Sequence, residues 1–375
     1  MNFGFTEEQD LLRAEVRKFL NEKAPLEEVR KQCESEEGFD RGLWKQMAEL
    51  GFAGLTIPEI HGGAGLDLVT LLVVLEETGR SLFPSPLLSN VVASQAIQRF
   101  GSEAQQARWL PGFADGTRLG TLALLEEGDD LSPDGVKLQA KKDGEEIILT
   151  GRKLFVPDAG NADVFVVAYR LSSGAEEVGL ALVEKGSAGV SAADFAAMDL
   201  TKRVGSLELN DVRVPSDQLL CEGGPAWSAI QSLVELGAAL VTAETVGAAE
   251  GALAITTSFA KEREQFGSKI GRYQGVKHPL AEIYVDIESY KSLVYYAFWA
   301  LDEGHDDAAL AISRAKAYAS ETFPLAGING VQLHGGVGYT WEYDIQLYLK
   351  RGKWMRPIYG DADYHYDRIA QLGGL

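Results

Sequence analysis

The feature of this sequence that most constrains its fold is that the spacing of its apolar residues changes twice. Apolar residues recur at helical spacing up to position 117, alternate with polar residues from Leu119 onward, and return to helical spacing after Pro225. Helices bury a residue about every 3.6 positions and strands every second one. We therefore predict a mostly α fold with a central β-domain.

Capping residues, prolines and glycines divide the first part into short helices. Thr6 and Gln9 form a capping-box pattern before an apolar stripe that starts at Leu12, so a helix should begin there. Further helical patterns cover roughly 40–50, 66–80, 86–100 and 102–113. We expect an N-terminal helical domain over residues 1–117.

The middle part has the pattern of strands joined by turns. Val136 and Ala140 alternate with polar residues, Asp143 and Gly144 have the composition of a hairpin turn, and apolar residues 147–149 follow. Later strand patterns cover 163–170, 179–184 and 207–214. Together they predict a small antiparallel sheet or barrel over residues 118–222.

The last part is predicted to form long helices packed side by side. Residues 236–259 are rich in Gly and Ala, which lets helices approach closely, and Leu280, Ile283 and Ile287 mark the buried stripe of the next helix. We expect a C-terminal four-helix bundle over residues 223–375.

Charge and cysteine content argue against several classes of partner and site. A formal net charge of -20 repels nucleic acid and anionic membranes. No run of about 18 apolar residues indicates a membrane span, and the N-terminus lacks a basic-then-apolar export signal. Cys33, Cys221 and the histidines show no metal-ligand spacing, so neither a disulfide nor a metal site is predicted. We expect a cytoplasmic protein.

A glycine-rich string near the end is the strongest local signal for a ligand. Gly335, Gly336 and Gly338 lie between two helical patterns, where a backbone without side chains can approach a polar or anionic ligand closely. By itself the string also fits an ordinary glycine C-cap between helices.

Three strings, in order, resemble the signatures of the acyl-CoA dehydrogenase family. Residues 55–63 resemble its Pro-Glu-x-x-Gly-Gly turn, residues 261–267 resemble its Arg-x-x-Phe-Gly signature, and residues 332–336 resemble its glycine signature. The resemblance spans almost the whole chain. It implies an FAD-dependent enzyme that removes the α-proton of an acyl-CoA thioester while the β-hydride passes to flavin N5.

The resemblance also implies which residues contact FAD. In the family, FAD lies between the β-domain and the C-terminal bundle, and a neighbouring subunit completes the site. Arg263 would bind the FAD diphosphate, because arginine offers several donors in a fixed geometry. The other implied contacts are Phe266 and Gln274, together with Phe155 and Val156 in the β-domain. Gln332, Leu333, Gly335 and Gly336 would approach the cofactor from across a dimer interface.

The sequence departs from the family at the catalytic base. The family's usual Glu position is Gly360, and an aspartate, Asp361, follows it; the second base position lies near Gly237, again without a carboxylate. Asp361 and Glu244 are the candidate bases. Asp361 also fits the N-cap of the last helix, and Glu244 also fits a flavin contact or a structural partner for an arginine.

The β-domain departs from the family as well. Residues 155–157 replace its Trp-Ile-Thr string, and Pro157 has neither a hydroxyl nor an amide hydrogen to donate to flavin N5. Residues 125–130 replace the Thr-Glu-x-x-x-Gly-Ser-Asp loop and add acidic groups where relatives hold CoA phosphates. We expect altered handling of flavin and CoA.

The residues leave three functions open. The first is a divergent bacterial acyl-CoA dehydrogenase in fatty acid or lipid catabolism; the second is a non-catalytic or FAD-contributing subunit of a mixed two-chain assembly; the third is a desulfinase-like elimination on the same scaffold. His334 and residues 340–344 resemble a branch that acts on bulky acyl-CoAs. The implied partners are an acyl-CoA substrate, electron-transfer flavoprotein as electron acceptor, and copies of this chain or a related chain in a homotetramer or heterotetramer.

Overall fold

Helices form both ends of the chain and strands form its middle. The computed structural model describes residues 4–171 and 177–375. Its helices are α1 Glu7–Lys23, α2 Leu26–Cys33, α3 Arg41–Glu49, α4 Leu68–Arg80, α5 Leu87–Phe100, α6 Glu103–Ala114, α7 Gly224–Glu262, α8 Gln274–Asp302, α9 Ala308–His334, α10 Ile345–Met355 and α11 Ala362–Gly373. Its strands are β1 Gly120–Ala123, β2 Gln139–Asp143, β3 Glu146–Pro157, β4 Val164–Arg170, β5 Val178–Glu184, β6 Val190–Asp194, β7 Val204–Pro215, β8 Leu219–Glu222, β9 Glu264–Gln265 and β10 Ser268–Lys269. This order confirms the predicted fold class.

The chain divides into two compact units, each built from separate stretches of sequence. Unit 1 contains Met1–Glu34, Asp67–Pro84 and Ala238–Leu375, and unit 2 contains Ser35–Leu66 and Ser85–Gly237. The border therefore falls within α7. The division into segments 1–117, 118–222 and 223–375 follows the order of element types and stays a prediction.

The first two helices differ in how clearly the sequence predicts them. The Thr6 hydroxyl accepts the N–H of Gln9, and the Gln9 side chain accepts the N–H of Thr6, so α1 begins with the predicted capping box. The helix α2 has no side-chain cap and begins directly after Pro25. With only eight residues, α2 is too short to show a clear helical period, and it was not predicted.

The central sheet belongs to unit 2 and is largely antiparallel. Its strand order is β6-β7-β3-β2-β4-β5-β8, and β1 pairs with β4. Asp143 pairs with Glu146 across the predicted hairpin, whose Gly144 has a φ of 66°. Two pairings are parallel, β1 with β4 and the end of β2 with β4. Alternation of apolar residues cannot reveal strand direction, so the sequence did not predict these pairings.

Helix α7 is the longest helix and forms part of the protein interior. Its segment Ala226–Glu262 is long and apolar enough to cross a membrane, but 78% of its most apolar window is buried inside the protein. Ala and Gly residues recur along this helix, as at Ala243, Gly247, Ala248 and Gly251. The length and composition of α7 therefore fit a core helix.

Helices α4 and α7 approach each other closely in unit 1. A Cβ atom at Gly79 would lie 1.9 Å from the carbonyl oxygen of Glu244, and one at Gly247 would lie 1.7 Å from that of Glu76. Neither position has space for a methyl group. This crossing confirms the close helix approach predicted from the Gly- and Ala-rich segment.

We predict that Gly247→Ala lowers the free energy of unfolding by about 1–3 kcal/mol or more, because the added methyl group forces α4 and α7 apart. Urea unfolding followed by circular dichroism measures this change. The control is Gly275→Ala, at an exposed helical glycine of α8 with no atom within 4 Å of an added Cβ. Equal stability of the two variants would contradict the importance of the crossing.

Candidate active site

The arginine of the first predicted site lies directly after α7, at the base of a small hairpin. The Arg263 N–H donates to the carbonyl of Phe259 over 2.9 Å, and the strands β9 and β10 follow. Phe266 and Gly267 join them with φ values of 53° and 77°, the left-handed pair expected of a two-residue hairpin turn. The sequence string of residues 263–267 therefore encodes a defined turn.

The side chains of this hairpin are directed away from the core of unit 1. Phe266 is 93% exposed, and its ring lies edge-to-face with that of Tyr273, with 6.4 Å between ring centroids. Arg263 is exposed, as is Gln274 at the start of α8. Among the residues that the structure describes, Arg263 has no ion-pair partner. These groups are thus accessible to an anionic, aromatic ligand.

The glycine string forms the end of α9 and the turn that follows it. Gly335 caps the helix with a φ of 68°, and a Cβ at Gly335 or Gly336 would meet no atom within 4 Å. Gln332 is exposed and Leu333 is half-buried. The glycines therefore leave open space beside the backbone, as a closely approaching ligand requires.

His334 fixes this end of α9 from inside unit 1. Its Nδ1 lies 2.7 Å from the carbonyl oxygen of Gly330, and its ring stacks on Phe259 with centroids 4.2 Å apart. Burial lowers the pKa of His334 below its usual value. A neutral ring packed in this way anchors the glycine turn.

The predicted flavin contacts of the β-domain lie at the end of β3 in unit 2. Phe155 has a φ of 53° and is 46% exposed, with its ring edge-to-face with Phe195 at 6.3 Å between centroids. Val156 is buried, and the carbonyl of Pro157 accepts the Thr121 hydroxyl at 2.7 Å. Of this string, only Phe155 presents an accessible side chain of substantial size.

The candidate base Glu244 is enclosed in the interior of unit 1. Glu244 is 2% exposed. Its Oε2 accepts a hydrogen bond of 3.3 Å from Nη1 of Arg351, whose side chain is also 2% exposed. The Thr78 hydroxyl lies 3.4 Å from Glu244 Oε1. An arginine partner for Glu244 was one of the expected alternatives, and Arg351 fills that place.

The other candidate base, Asp361, lies at the surface of unit 1 and caps α11. Its Oδ1 accepts the N–H of Tyr364 at 3.0 Å, and the residue is exposed. Among the described residues, its Oδ2 has no hydrogen-bond partner. The preceding Gly360 has a φ of 96°, and a Cβ there would lie 2.3 Å from the Tyr364 ring. This loop geometry excludes a side chain at the family's usual base position.

Two buried polar residues beneath this loop were not found from the sequence. Lys316 on α9 binds the carbonyl of Gly360, and His365 on α11 binds that of Tyr359. Both side chains are almost completely buried. The only sequence signal is a lysine within the alanine-rich stretch around Ala315 and Ala317. Such a lysine on an apolar helix face requires nearby acceptors.

The residues described above fit a dinucleotide cofactor with an aromatic ring system. Within unit 1, the exposed Arg263 and the open backbone at Gly335 and Gly336 supply donors and space for such a ligand. Within unit 2, Phe155 presents an accessible ring. In the part of the chain that the structure describes, no group of His, Cys, Asp or Glu residues could hold a metal ion.

Comparison with known families gives matches at both ends of the chain. Residues 6–117 match the family model described as acyl-CoA dehydrogenase, N-terminal domain. Residues 226–373 match the model described as acyl-CoA dehydrogenase, C-terminal domain.

Individual proteins match over nearly the full length. The acyl-CoA dehydrogenase IpdE2 of Mycolicibacterium smegmatis is 31% identical over 95% of both chains. A solved variant of the Tcur3481-Tcur3483 steroid ACAD has 33% identity and a TM-score of 0.88, covering 98% of each chain. The ChsE4-ChsE5 complex from Mycobacterium tuberculosis has 29% identity and a TM-score of 0.91, covering 100% of this chain and 99% of that one.

We predict that Arg351→Met destabilises the protein by about 3–5 kcal/mol, because it leaves the buried Glu244 carboxylate without its cation. Chemical denaturation measures the loss. The double variant Arg351→Met with Glu244→Leu should recover most of the stability, since it removes both charges.

The matched control is Lys353→Met, at an exposed position of the same helix. If Arg351→Met were as stable as Lys353→Met, the ion pair would not be needed for the fold.

Proposed function

Because this chain belongs to the acyl-CoA dehydrogenase family, we propose that it desaturates a bulky acyl-CoA between the α- and β-carbons, with Asp361 as the general base. The chain is an FAD-dependent oxidoreductase, as its relatives are. The observation that carries the proposal is the exposed carboxylate of Asp361, which caps α11 and lies one residue after the usual base position.

Asp361 has two oxygens with different tasks in this proposal. Oδ1 accepts the Tyr364 N–H, which fixes the orientation of the carboxylate. Oδ2 is then available to accept the α-proton of the thioester. A positioned general base contributes about 10²- to 10⁴-fold in rate. Glu244 is assigned a structural role instead, because its carboxylate is enclosed and bound to Arg351.

The cofactor is FAD, which supplies the acceptor for the substrate's β-hydride. Arg263 is assigned to its diphosphate because the guanidinium is exposed and has no ion-pair partner in the described part of the chain. Gly335 and Gly336 are assigned to the cofactor of a neighbouring subunit, which their open backbone has room to approach, and Phe155 is assigned to the flavin ring. The remaining contacts are assigned to Phe266, Gln274, Gln332, Leu333 and Val156.

The substrate class is proposed from relatives. The Tcur3481-Tcur3483 protein is named a steroid ACAD, and this chain is 33% identical to it. A polycyclic acyl-CoA is therefore the first substrate to test. Electron-transfer flavoprotein is proposed as the electron acceptor, and the cytoplasm as the location.

A second function is favoured by the missing carboxylate at Gly360. In this alternative, the chain is the FAD-contributing subunit of a mixed assembly, and a related chain supplies the base. Support comes from the replacement of the usual Glu by a glycine without side-chain space, and from similarity to ChsE4-ChsE5, which is a complex of two chains. The two functions differ in whether the chain, purified alone, reduces its flavin.

We predict that Asp361→Asn slows flavin reduction by about 10²- to 10⁴-fold while leaving FAD bound. Asparagine caps a helix about as well as aspartate, so α11 should stay intact. Stopped-flow absorbance under anaerobic conditions measures the reduction rate. The control Asp363→Asn changes an exposed carboxylate two residues later. Normal reduction in Asp361→Asn would remove Asp361 from the mechanism.

We also predict that Arg263→Ala lowers the amount of FAD that remains bound through purification, because the diphosphate loses a charged donor. The ratio of flavin to protein absorbance measures this effect. Lys261→Ala removes another exposed cation nearby and serves as the control. Equal flavin content in both variants would refute the diphosphate assignment.

A further inference from the structure

We propose that Lys316 is a positioning residue for Asp361, because it holds the loop between α10 and α11 from inside unit 1. This inference rests on the proposed role of Asp361 as the base. Lys316 touches no reacting atom in this account, and it acts through the backbone of residues 356–361.

The ammonium group of Lys316 is fully used by this loop and its own helix. The residue is 0% exposed, and its Nζ donates to the carbonyls of Arg356 at 3.0 Å and Gly360 at 2.7 Å, and to the Ser320 hydroxyl at 3.0 Å. These three acceptors match the three hydrogens of an ammonium group. The Gly360 carbonyl belongs to the peptide group whose nitrogen is that of Asp361, so this bond fixes the plane from which Asp361 extends.

The loop needs such support because its backbone is unusual. Tyr359 and Gly360 have φ values of 56° and 96°, and a tyrosine rarely adopts such a conformation unless its surroundings impose it. His365 Nε2 lies 3.0 Å from the Tyr359 carbonyl, so its N–H donates there. Lys316 and His365 thus hold two consecutive carbonyls in this left-handed turn.

The same geometry explains why the acidic residue follows the glycine. A Cβ at Gly360 would lie 2.3 Å from the Tyr364 ring and 3.0 Å from His365 Nε2. The loop that Lys316 holds can therefore carry a carboxylate at Asp361 but not at Gly360. The glycine and the displaced acid are two parts of one local structure.

The surroundings of Lys316 show that its position is unfavourable for the ammonium charge itself. Burial lowers the pKa of Lys316 to about 7, against the opposing effect of Asp361, and Arg356 lowers it further. Burial also lowers the pKa of His365, to about 3. A lysine buried at such cost is better explained by the carbonyls that its Nζ binds than by its own contribution to folding.

The test is Lys316→Met, which keeps the length of the side chain and removes its donors. We expect bound FAD to be retained and the limiting rate of flavin reduction to fall by about 10- to 100-fold. The acyl-CoA concentration that gives half the limiting rate should change little. Hydrogen exchange should become faster in a peptide covering residues 357–365 but not elsewhere. Lys353→Met, at an exposed lysine of α10, is the control.

The outcomes separate this inference from the assignment of the base. Asp361→Asn could abolish flavin reduction while Lys316→Met shows normal rates of flavin reduction and of hydrogen exchange. In that case the positioning role is wrong and the base assignment stands. If the flavin of Asp361→Asn is reduced at the normal rate, the base assignment is wrong, and the positioning role that rests on it is wrong as well. Should Lys316→Met not fold, Gly360→Ala displaces the same loop from its other side, and a normal rate in that variant would overturn the inference.

Discussion

The close crossing of α4 and α7 is the constraint on which the rest of unit 1 depends. Because Gly79 and Gly247 carry no side chains, a backbone carbonyl of each helix lies close to the glycine of the other. This contact places the Glu244 carboxylate between α4 and α10, where Arg351 and the Thr78 hydroxyl help to compensate for its burial. The ion pair fixes α10, and the loop that ends in Asp361 begins where α10 stops. The position of the proposed base therefore follows from packing at a distance from it.

Two buried basic side chains, Arg351 and Lys316, restrict the conformation of this region. Arg351 is matched by a carboxylate, whereas Lys316 is matched by backbone carbonyls and a hydroxyl. Either cation would be costly to bury without these acceptors. An alternative loop conformation would leave the Lys316 donors unsatisfied inside the protein. Polar groups in the interior thus specify the geometry of the site, while the apolar core supplies most of the driving force for folding.

Sequence patterns predicted several features that depend on local chemistry. The capping box at Thr6, the hairpin at Gly144 and the Gly- and Ala-rich segment of α7 each encode their structure within a few residues. Tertiary contacts were harder to predict. The parallel pairing of β1 with β4 joins distant segments, and the supports of Asp361 come from Lys316, far from it in sequence. The sequence required a partner for a buried glutamate, but only the fold identifies it as Arg351.

The most direct test of this account is an anaerobic absorbance titration of the protein, purified alone, with acyl-CoAs that include a polycyclic one. A chain that carries both FAD and its own base should lose the oxidised flavin bands on addition of a suitable acyl-CoA. The contradicting result has two parts. The bound flavin of the chain alone stays oxidised with every acyl-CoA, and the same compounds bleach it once a related chain is added. That result would make this chain the FAD-contributing subunit of a mixed assembly.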